Sequence, residues 1–371
     1  MKLDIAVLSG DGIGPEVTDQ AIKTLNAIEN RFDHKFNFQD GLVGAIAIDE
    51  TGDPLPQETL DLCKNTDAVL FGSIGAPKYD NDPSAPVRPE QGLLKLRKEL
   101  GLYANIRPLK AYATLLDKSP LKREIIEGTD ISIYRELTGG IYFGEKKISA
   151  DGNVASDLCE YSRPEIERIS HLAFQAARKR KNKVTLVDKA NVLESSRLWR
   201  KVVTELAASY ADVELDFLFV DNAAMQMILN PSQFDVILTN NIFGDIISDE
   251  ASVIGGSIGL LASASAGNKH AMFEPIHGSF PQATGLGIAN PIAAVLSAAM
   301  LLEHFNLLEE SKLINEAVEK ALEYNLTTPD LNDKNPLTTD KVGDFIAHYI
   351  ENAEEALEKF KNVNLGQSTV I

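Results

Sequence analysis

The chain is poor in cysteine and tryptophan: 371 residues hold two of the former, Cys63 and Cys159, and one of the latter. Two thiols cannot staple a body of this size, which excludes a disulfide scaffold and leads us to expect a reducing, cytoplasmic setting. Positive charge is also scarce. Thirty-six Lys and Arg stand against 54 Asp and Glu, a formal net charge of −18. Such a surface repels phosphate backbones and anionic lipid, so neither a nucleic-acid partner nor a membrane partner is expected. One uncharged stretch, residues 251–268, is diluted by four Gly and four Ser. It reads as a buried core segment rather than a membrane span. There is no internal repeat and no Gly/Ser- or Pro-rich linker. Met1-Lys2-Leu3-Asp4 runs straight into an apolar strand without a signal-peptide pattern. None of His34, His171, His270, His304 and His348 has metal-ligand spacing.

With 44% hydrophobic and 24% charged residues, the chain can bury a sizeable core. Its length predicts two or more domain-sized bodies. Short β-rich runs alternate with helical patterns. Ile5–Leu8, Ala68–Phe71, Val184–Val187, Leu215–Val220 and Val236–Leu238 read as strands, each followed by a helix. After the first strand, Val17, Ala21, Leu25 and Ile28 recur at helical spacing behind Pro15. Alternation of this kind predicts an α/β fold with a largely parallel sheet covered on both faces. Residues 139–163 break the pattern. Ile141–Phe143 and Lys147–Ser149 read as short β pieces, and Asp151-Gly152 is a turn signal, so a hairpin-like arm is expected. Ser162-Arg163-Pro164-Glu165 then forms a capping box for a helix carrying Ile166, Ile169, Ala173 and Ala176. The basic run from Arg178 to Lys183 suits a solvated helix C-terminus better than a nucleic-acid patch, given the net charge.

Several segments could carry chemistry. Gly10-Asp11-Gly12-Ile13-Gly14-Pro15-Glu16 joins the first strand to the first helix. Its sixth position is Pro15, so the G-x-G-x-x-G dinucleotide fingerprint fails and the loop is as well a tight turn as a ligand site. In Phe243–Asp249, Asp245 and Asp249 stand four apart on one helical face. The pair suits Mg²⁺ or Mn²⁺ and equally suits acids near a helix N-terminus. Asp221 could supply a third carboxylate. Arg97, Arg107 and Arg135 would hold a di- or tricarboxylate if they converged; by spacing alone each is a surface ion-pair partner. Lys189 follows a strand at its carboxyl end, where open α/β sheets bind ligands, and is either a base or a rim lysine. Tyr142 is a proton donor or an arm aromatic. On these residues alone a Mg²⁺-dependent phosphatase or phosphotransferase, or a non-catalytic acidic binding protein, also stays open.

Taken together the motifs resemble the β-decarboxylating dehydrogenases, which act on isocitrate, homoisocitrate, 3-isopropylmalate and tartrate or D-malate. Three segments carry the resemblance: Gly10–Glu16, Asn240–Glu250, and Glu274-Pro275-Ile276-His277-Gly278-Ser279 through Gly287-Ile288-Ala289-Asn290-Pro291. It runs from about residue 3 to about residue 350. Arg88-Pro89-Glu90-Gln91-Gly92-Leu93-Leu94-Lys95-Leu96-Arg97 is most similar to the 3-isopropylmalate branch. Leu93 and Leu94 offer an apolar wall where isocitrate enzymes place Ser and Asn, so tricarboxylates should be poor substrates. The separation from the D-malate type is weaker.

The resemblance implies a two-domain, non-Rossmann isocitrate/isopropylmalate dehydrogenase-like fold around a cleft. A discontinuous cofactor-binding domain would span 1–102 and 255–371. A substrate and dimerisation domain would span 103–254, with the arm at 139–163 crossing to a second subunit. It implies NAD-dependent oxidative decarboxylation of 3-isopropylmalate to 2-oxoisocaproate and CO₂ in leucine biosynthesis, with Mg²⁺ or Mn²⁺. Arg97, Arg107 and Arg135 would clamp the substrate, with Leu93, Leu94 and Asp221 beside it. Asp221, Asp245 and Asp249 would hold the metal, and Lys189 and Tyr142 would be catalytic. Lys189 and Asp221 would come from the other subunit of a homodimer. Glu90, Glu274, His277, Gly278, Ser279, Phe280, Pro281, Gln282, Ala283, Ala289 and Asn290 would contact the cofactor. Gln282 departs from the Asp of NAD-dependent relatives. It can bond a ribose hydroxyl without repelling a 2′-phosphate, but residues 274–290 offer no Lys or Arg to attract one, so NAD is the expected cofactor.

Overall fold

A computed structural model describes residues 1–81 and 85–366. Residues 82–84 and 367–371, which the expected first domain includes, lie outside the described residues. The chain divides into two compact units. One comprises Met1–Leu100, Ser257–Ala264 and His270–Ile371; the other comprises Gly101–Gly256 with Ser265–Lys269.

The first unit begins with β1 (Lys2–Gly10), β2 (Lys35–Asp40) and β3 (Ala68–Ser73). Both neighbours pair parallel with β1. The helix Gly14–Phe32 crosses between β1 and β2, and its apolar stripe at Val17, Ala21, Leu25 and Ile28 is fully buried. Pro15 sits in its first turn, where a missing N–H costs nothing. Every residue of β3 is buried, as a continuous apolar run predicts for a strand covered on both faces.

The second unit holds β4 (Ala104–Lys110), β5 (Asp130–Glu136), a two-stranded hairpin of β6 (Lys146–Ile148) and β7 (Ala155–Asp157), then β8 (Lys183–Asp188), β9 (Glu214–Phe219) and β10 (Val236–Thr239). Its sheet runs in the order β4-β5-β10-β8-β9. β5, β10, β8 and β9 are mutually parallel, and β4 is antiparallel to β5. Phe174, Trp199, Val203 and Leu186 lie in the core that the helices Arg163–Arg178 and Glu194–Ala207 press onto the sheet. The Tyr161 ring meets Trp199 edge-on at 5.5 Å.

The chain returns to the first unit through β11 (Ala262–Ala266) and β12 (Ala271–Pro275), giving the order β2-β1-β3-β12-β11 there. β12 is parallel to β3. Residues 265–269, expected with the first body, pack with the second. The Tyr103 amide donates to the Ala266 carbonyl at 3.0 Å and Asn105 Nδ2 to Ser265 Oγ at 3.2 Å, which tie that end of β11 to the start of β4. The uncharged stretch 251–268 is thus a helix end, two short 3₁₀ turns and a strand with four buried residues. No helix among the described residues is long and apolar enough to cross a membrane.

The arm is a hairpin at β6 and β7 around Ser149–Val154. Its first piece differs from expectation: residues 140–142 form a 3₁₀ turn, not a strand. Gly140 has φ 77° and its carbonyl accepts the amides of Phe143 and Gly144, so the backbone curls before it can extend. The capping box at Ser162 is formed, its amide donating to Glu165 at 2.7 Å. The basic run is consumed internally: Arg178 pairs with Asp212, Arg180 with Asp130 and Asp235, and Lys183 with Glu214.

Candidate active site

In the second unit, four parallel strands deliver polar residues at their carboxyl ends, where the backbone leaves the sheet and side chains can gather. Arg135 lies near the end of β5, Asn240 and Asn241 follow β10, Lys189 follows β8, and Asp221 lies just past β9. β4 joins from the side. Its Asn105 is directly opposite Arg135, so Arg107, two residues along, shares a sheet face with both. The helix Asn241–Ser252 begins on that edge. Asn240 caps it, its side-chain oxygen accepting the Phe243 amide at 2.9 Å.

That helix presents Asp245, Ser248 and Asp249 on one face. Arg135, only 5% exposed, donates to Asp245 Oδ1. Tyr142 Oη donates to Asp245 Oδ2 at 2.7 Å. Arg107 donates to Ser248 Oγ at 2.6 Å and to Asp249 at 3.1 Å, and its Nε is held by Asn105 at 2.7 Å. Asn241 orients Arg135: its side-chain oxygen accepts from two guanidinium nitrogens, while its Nδ2 donates to the carbonyls of Leu137 and Gly139. The Tyr142 hydroxyl is pushed up from its ordinary value, by burial first and then by the hydrogen bond to Asp245. It therefore keeps its proton at neutral pH.

Lys189 and Asp221 meet each other. Register sets Asp188 opposite Phe219, so the residues that follow are neighbours across β8 and β9. Lys189 Nζ lies 2.6 Å from Asp221 Oδ1. That bond, above all, holds the Asp221 carboxyl below the usual range.

Two hard oxygen donors one helical turn apart fit a divalent cation of the Mg²⁺ or Mn²⁺ type. Among the described residues of one chain, no three His, Cys, Asp or Glu side chains gather into a metal cluster. Asp221 is thus not brought to Asp245 and Asp249 within the chain.

In the first unit, the carboxyl ends of β1, β3 and β12 form a second edge. The Asp11 amide donates to the Ser73 carbonyl, the Asp11 carbonyl accepts the Ser73 hydroxyl, and the Asp11 carboxylate accepts the amides of Ala45, Ile46 and Gly75. The Ile13 amide donates to the Ser279 carbonyl at 2.8 Å. Gly12 has φ 61°, and a Cβ there would fall 2.0 Å from the Ser279 carbonyl oxygen. The G-x-G-x-G spacing therefore serves the approach of two loops. Arg97 donates to the buried Glu274 at 2.8 Å, so it sits in this unit beside the expected cofactor loop, while Arg107 and Arg135 belong to the other. Leu93 is half-buried and Leu94 exposed. Glu90 lies close to Gly75, and Asn290 Nδ2 donates to Asp330. Ser279, Ala283 and Ala289 are buried; Gly278, Phe280 and Gln282 are exposed.

His277 is buried, with Nδ1 3.0 Å from the Gly278 carbonyl and Nε2 without a partner. Burial, the largest influence, pushes this imidazole down, so it is neutral at pH 7. A buried unpartnered acceptor beside an open glycine fits a ligand that brings its own N–H, as a nucleotide base does.

Sequence reasoning left three residues of this site without a role: Asn105, Asn241 and Ser248. The Asn240-Asn241 pair between a β run and a helix was a signal for a cap plus a buried amide. Nothing local marked Asn105 or Ser248.

Against known proteins, residues 4–346 match the isocitrate/isopropylmalate dehydrogenase family. The 3-isopropylmalate dehydrogenase of Bacteroides fragilis is 54% identical over 355 residues, covering 95% of this chain and 100% of that protein. The enzyme of the same name from Aquifex aeolicus is 50% identical, covering 96% and 99%. Among solved structures, isocitrate dehydrogenase from Methylococcus capsulatus superposes with a TM-score of 0.84 at 33% identity, covering 94% of this chain and 100% of that one.

Proposed function

The chain belongs to the isocitrate/isopropylmalate dehydrogenase family, and from that premise we propose that it oxidatively decarboxylates 3-isopropylmalate to 2-oxoisocaproate and CO₂ in leucine biosynthesis, with NAD⁺ as hydride acceptor. One observation carries the geometry: two arginine forks and a tyrosine hydroxyl converge on two carboxylates one helical turn apart. Cations suited to a dicarboxylate, oxygen donors suited to a divalent ion and a hydroxyl suited to give a proton thus meet at one helix face, which supports the reading.

The second unit is the substrate, metal and dimerisation domain in this reading; the first binds the dinucleotide through Glu90, Glu274 and the segments 277–283 and 289–290. Arg97, Arg107 and Arg135 hold the substrate carboxylates by paired N–H bonds. Asp245 and Asp249, with Asp221 of the partner subunit, would hold Mg²⁺ or Mn²⁺, which when bound polarises the C2 oxygen and stabilises the charge left by CO₂ loss. Lys189 of the partner subunit takes the C2 hydroxyl proton as hydride leaves for NAD⁺. Tyr142 then returns a proton to the carbon that lost CO₂. Leu93 and Leu94 face the isopropyl group and leave a third carboxylate unsatisfied. Gln282 accepts a ribose hydroxyl, and the absence of Lys and Arg from residues 274–290 favours NAD⁺ over NADP⁺.

A homodimer in the cytoplasm suits the residues. Met225, Ile228 and Leu229 on the helix Val220–Leu229, and Ile246 and Val253 at the neighbouring helix, are large apolar side chains exposed in the single chain.

The test is NADH formation with Mg²⁺ on 3-isopropylmalate, D-malate and isocitrate in parallel, each with NAD⁺ and NADP⁺. Strong preference for 3-isopropylmalate with NAD⁺ is expected. Preference for D-malate would retain the mechanism and overturn the substrate; release of phosphate from phosphoesters without reduction of any nicotinamide would overturn both.

A further inference from the structure

Five described residues other than glycine have positive φ: Asp33, Asn182, Asn306, Asn325 and Phe280. The first four are the short polar types that tolerate left-handed backbone. Phe280, at φ 38° and ψ 63°, is not. The residue is 53% exposed, so burial only partly holds it there. Backbone bonds fix the turn on both sides. The Ser279 carbonyl accepts the Ile13 amide at 2.8 Å, and the Phe280 carbonyl accepts the Ala283 amide at 3.0 Å. Glycine would meet those demands without strain.

The turn therefore does not require an aromatic residue at this position, yet one stands there, more than half exposed, on unfavourable backbone. Strain that the surroundings over-determine is characteristic of ligand sites. Three residues earlier, His277 buries an Nε2 with no partner, and between them a Cβ added to Gly278 would meet nothing within 4 Å. A ring face, an open gap and an acceptor nitrogen thus occur within four residues.

We propose that Phe280 is an affinity-determining residue for the nucleotide, its ring the surface on which the adenine of the dinucleotide stacks. This rests on the reading of residues 274–290 as the cofactor loop. Stacking needs only a π face, so it contributes affinity for the base without taking part in hydride transfer.

The experiment titrates the full-length protein with ADP-ribose, which carries the adenine and lacks the nicotinamide, and with NAD⁺, using wild type, Phe280→Gly and Phe280→Tyr. Thermal melting is measured alongside. Phe280→Gly is expected to melt no lower than wild type, because glycine adopts this φ freely, and to bind ADP-ribose about tenfold more weakly (about 1.4 kcal/mol). Phe280→Tyr restores affinity. Unchanged ADP-ribose affinity in Phe280→Gly overturns the proposal, as does a clear drop in melting temperature, which would make the ring a packing element. Loss of NAD⁺ affinity with ADP-ribose binding intact overturns the assignment to adenine. If wild type binds neither ligand, the cofactor-loop reading itself fails, an outcome distinct from the others.

Discussion

Arg107 and Arg135 each hold a carboxylate that the proposed chemistry needs for a metal ion. Guanidinium and divalent cation compete for the same oxygens, and a substrate carboxylate that takes the arginine releases the aspartate. Binding of metal and of substrate should therefore be coupled in both directions. Arg107→Gln makes this visible. It should bind Mn²⁺ alone about two- to fivefold more tightly, on the scale of a partly exposed ion pair (about 0.5–1 kcal/mol), while substrate affinity falls. Calorimetry on metal alone and on metal with substrate checks both; weaker Mn²⁺ binding in the variant would refute the competition. The Tyr142 hydroxyl donates to Asp245, and the residue is partly exposed. Tyr142→Phe should lower kcat about 10²-fold, the lower range for a positioned acid, with KM and Mn²⁺ affinity close to wild type. A large rise in KM would make its role structural. The roles of these residues were suggested by their types, but which carboxylate each cation holds was not, because those partners lie far apart in the chain.

At the scale of elements, the helix Asn241–Ser252 does most of the positioning. Its i, i+4 acids were legible from spacing, since a helix repeats locally and needs no distant partner. Its Gly244 was not. An added Cβ there would lie 2.6 Å from Arg135 Cγ. Replacing an interior helical glycine by alanine ordinarily stabilises by about 1 kcal/mol. Gly244→Ala should instead lower the melting temperature and weaken substrate binding, because the guanidinium stem must move off Asp245. A gain in stability with unaltered binding would show that Arg135 has room to shift. The arm teaches the converse. Its hairpin was legible from Asp151-Gly152, whereas the 3₁₀ turn at 140–142 depends on Gly140 adopting a φ that no apolar pattern announces.

For the whole molecule, Lys189 and Asp221 neutralise one another in the single chain, and Asp221 joins no cluster with Asp245 and Asp249. The proposed homodimer, with sites completed by a second copy, would account for this, and the exposed apolar residues of two neighbouring helices would offer the surface. Light scattering should give twice the chain mass. Ile228→Asp combined with Ile246→Asp should give a folded monomer, with native circular dichroism and activity below 1% of wild type, roughly the loss of a general base. A monomer with full activity would place every catalytic group in one chain.

The sequence by itself determined the alternation of buried strands and amphipathic helices, the failure of the dinucleotide fingerprint at Pro15, and the spacing of Asp245 and Asp249. All are local properties, set by side-chain periodicity and backbone preference over a few residues. Only the tertiary structure decided that Arg135 reaches Asp245, 110 residues on, that Lys189 meets Asp221, and that Gly12 lies against Ser279. Those meetings follow from the strand orders β4-β5-β10-β8-β9 and β2-β1-β3-β12-β11. Strand order emerges from long-range pairing, in which many segments of similar apolar character compete, and no window of residues carries that choice.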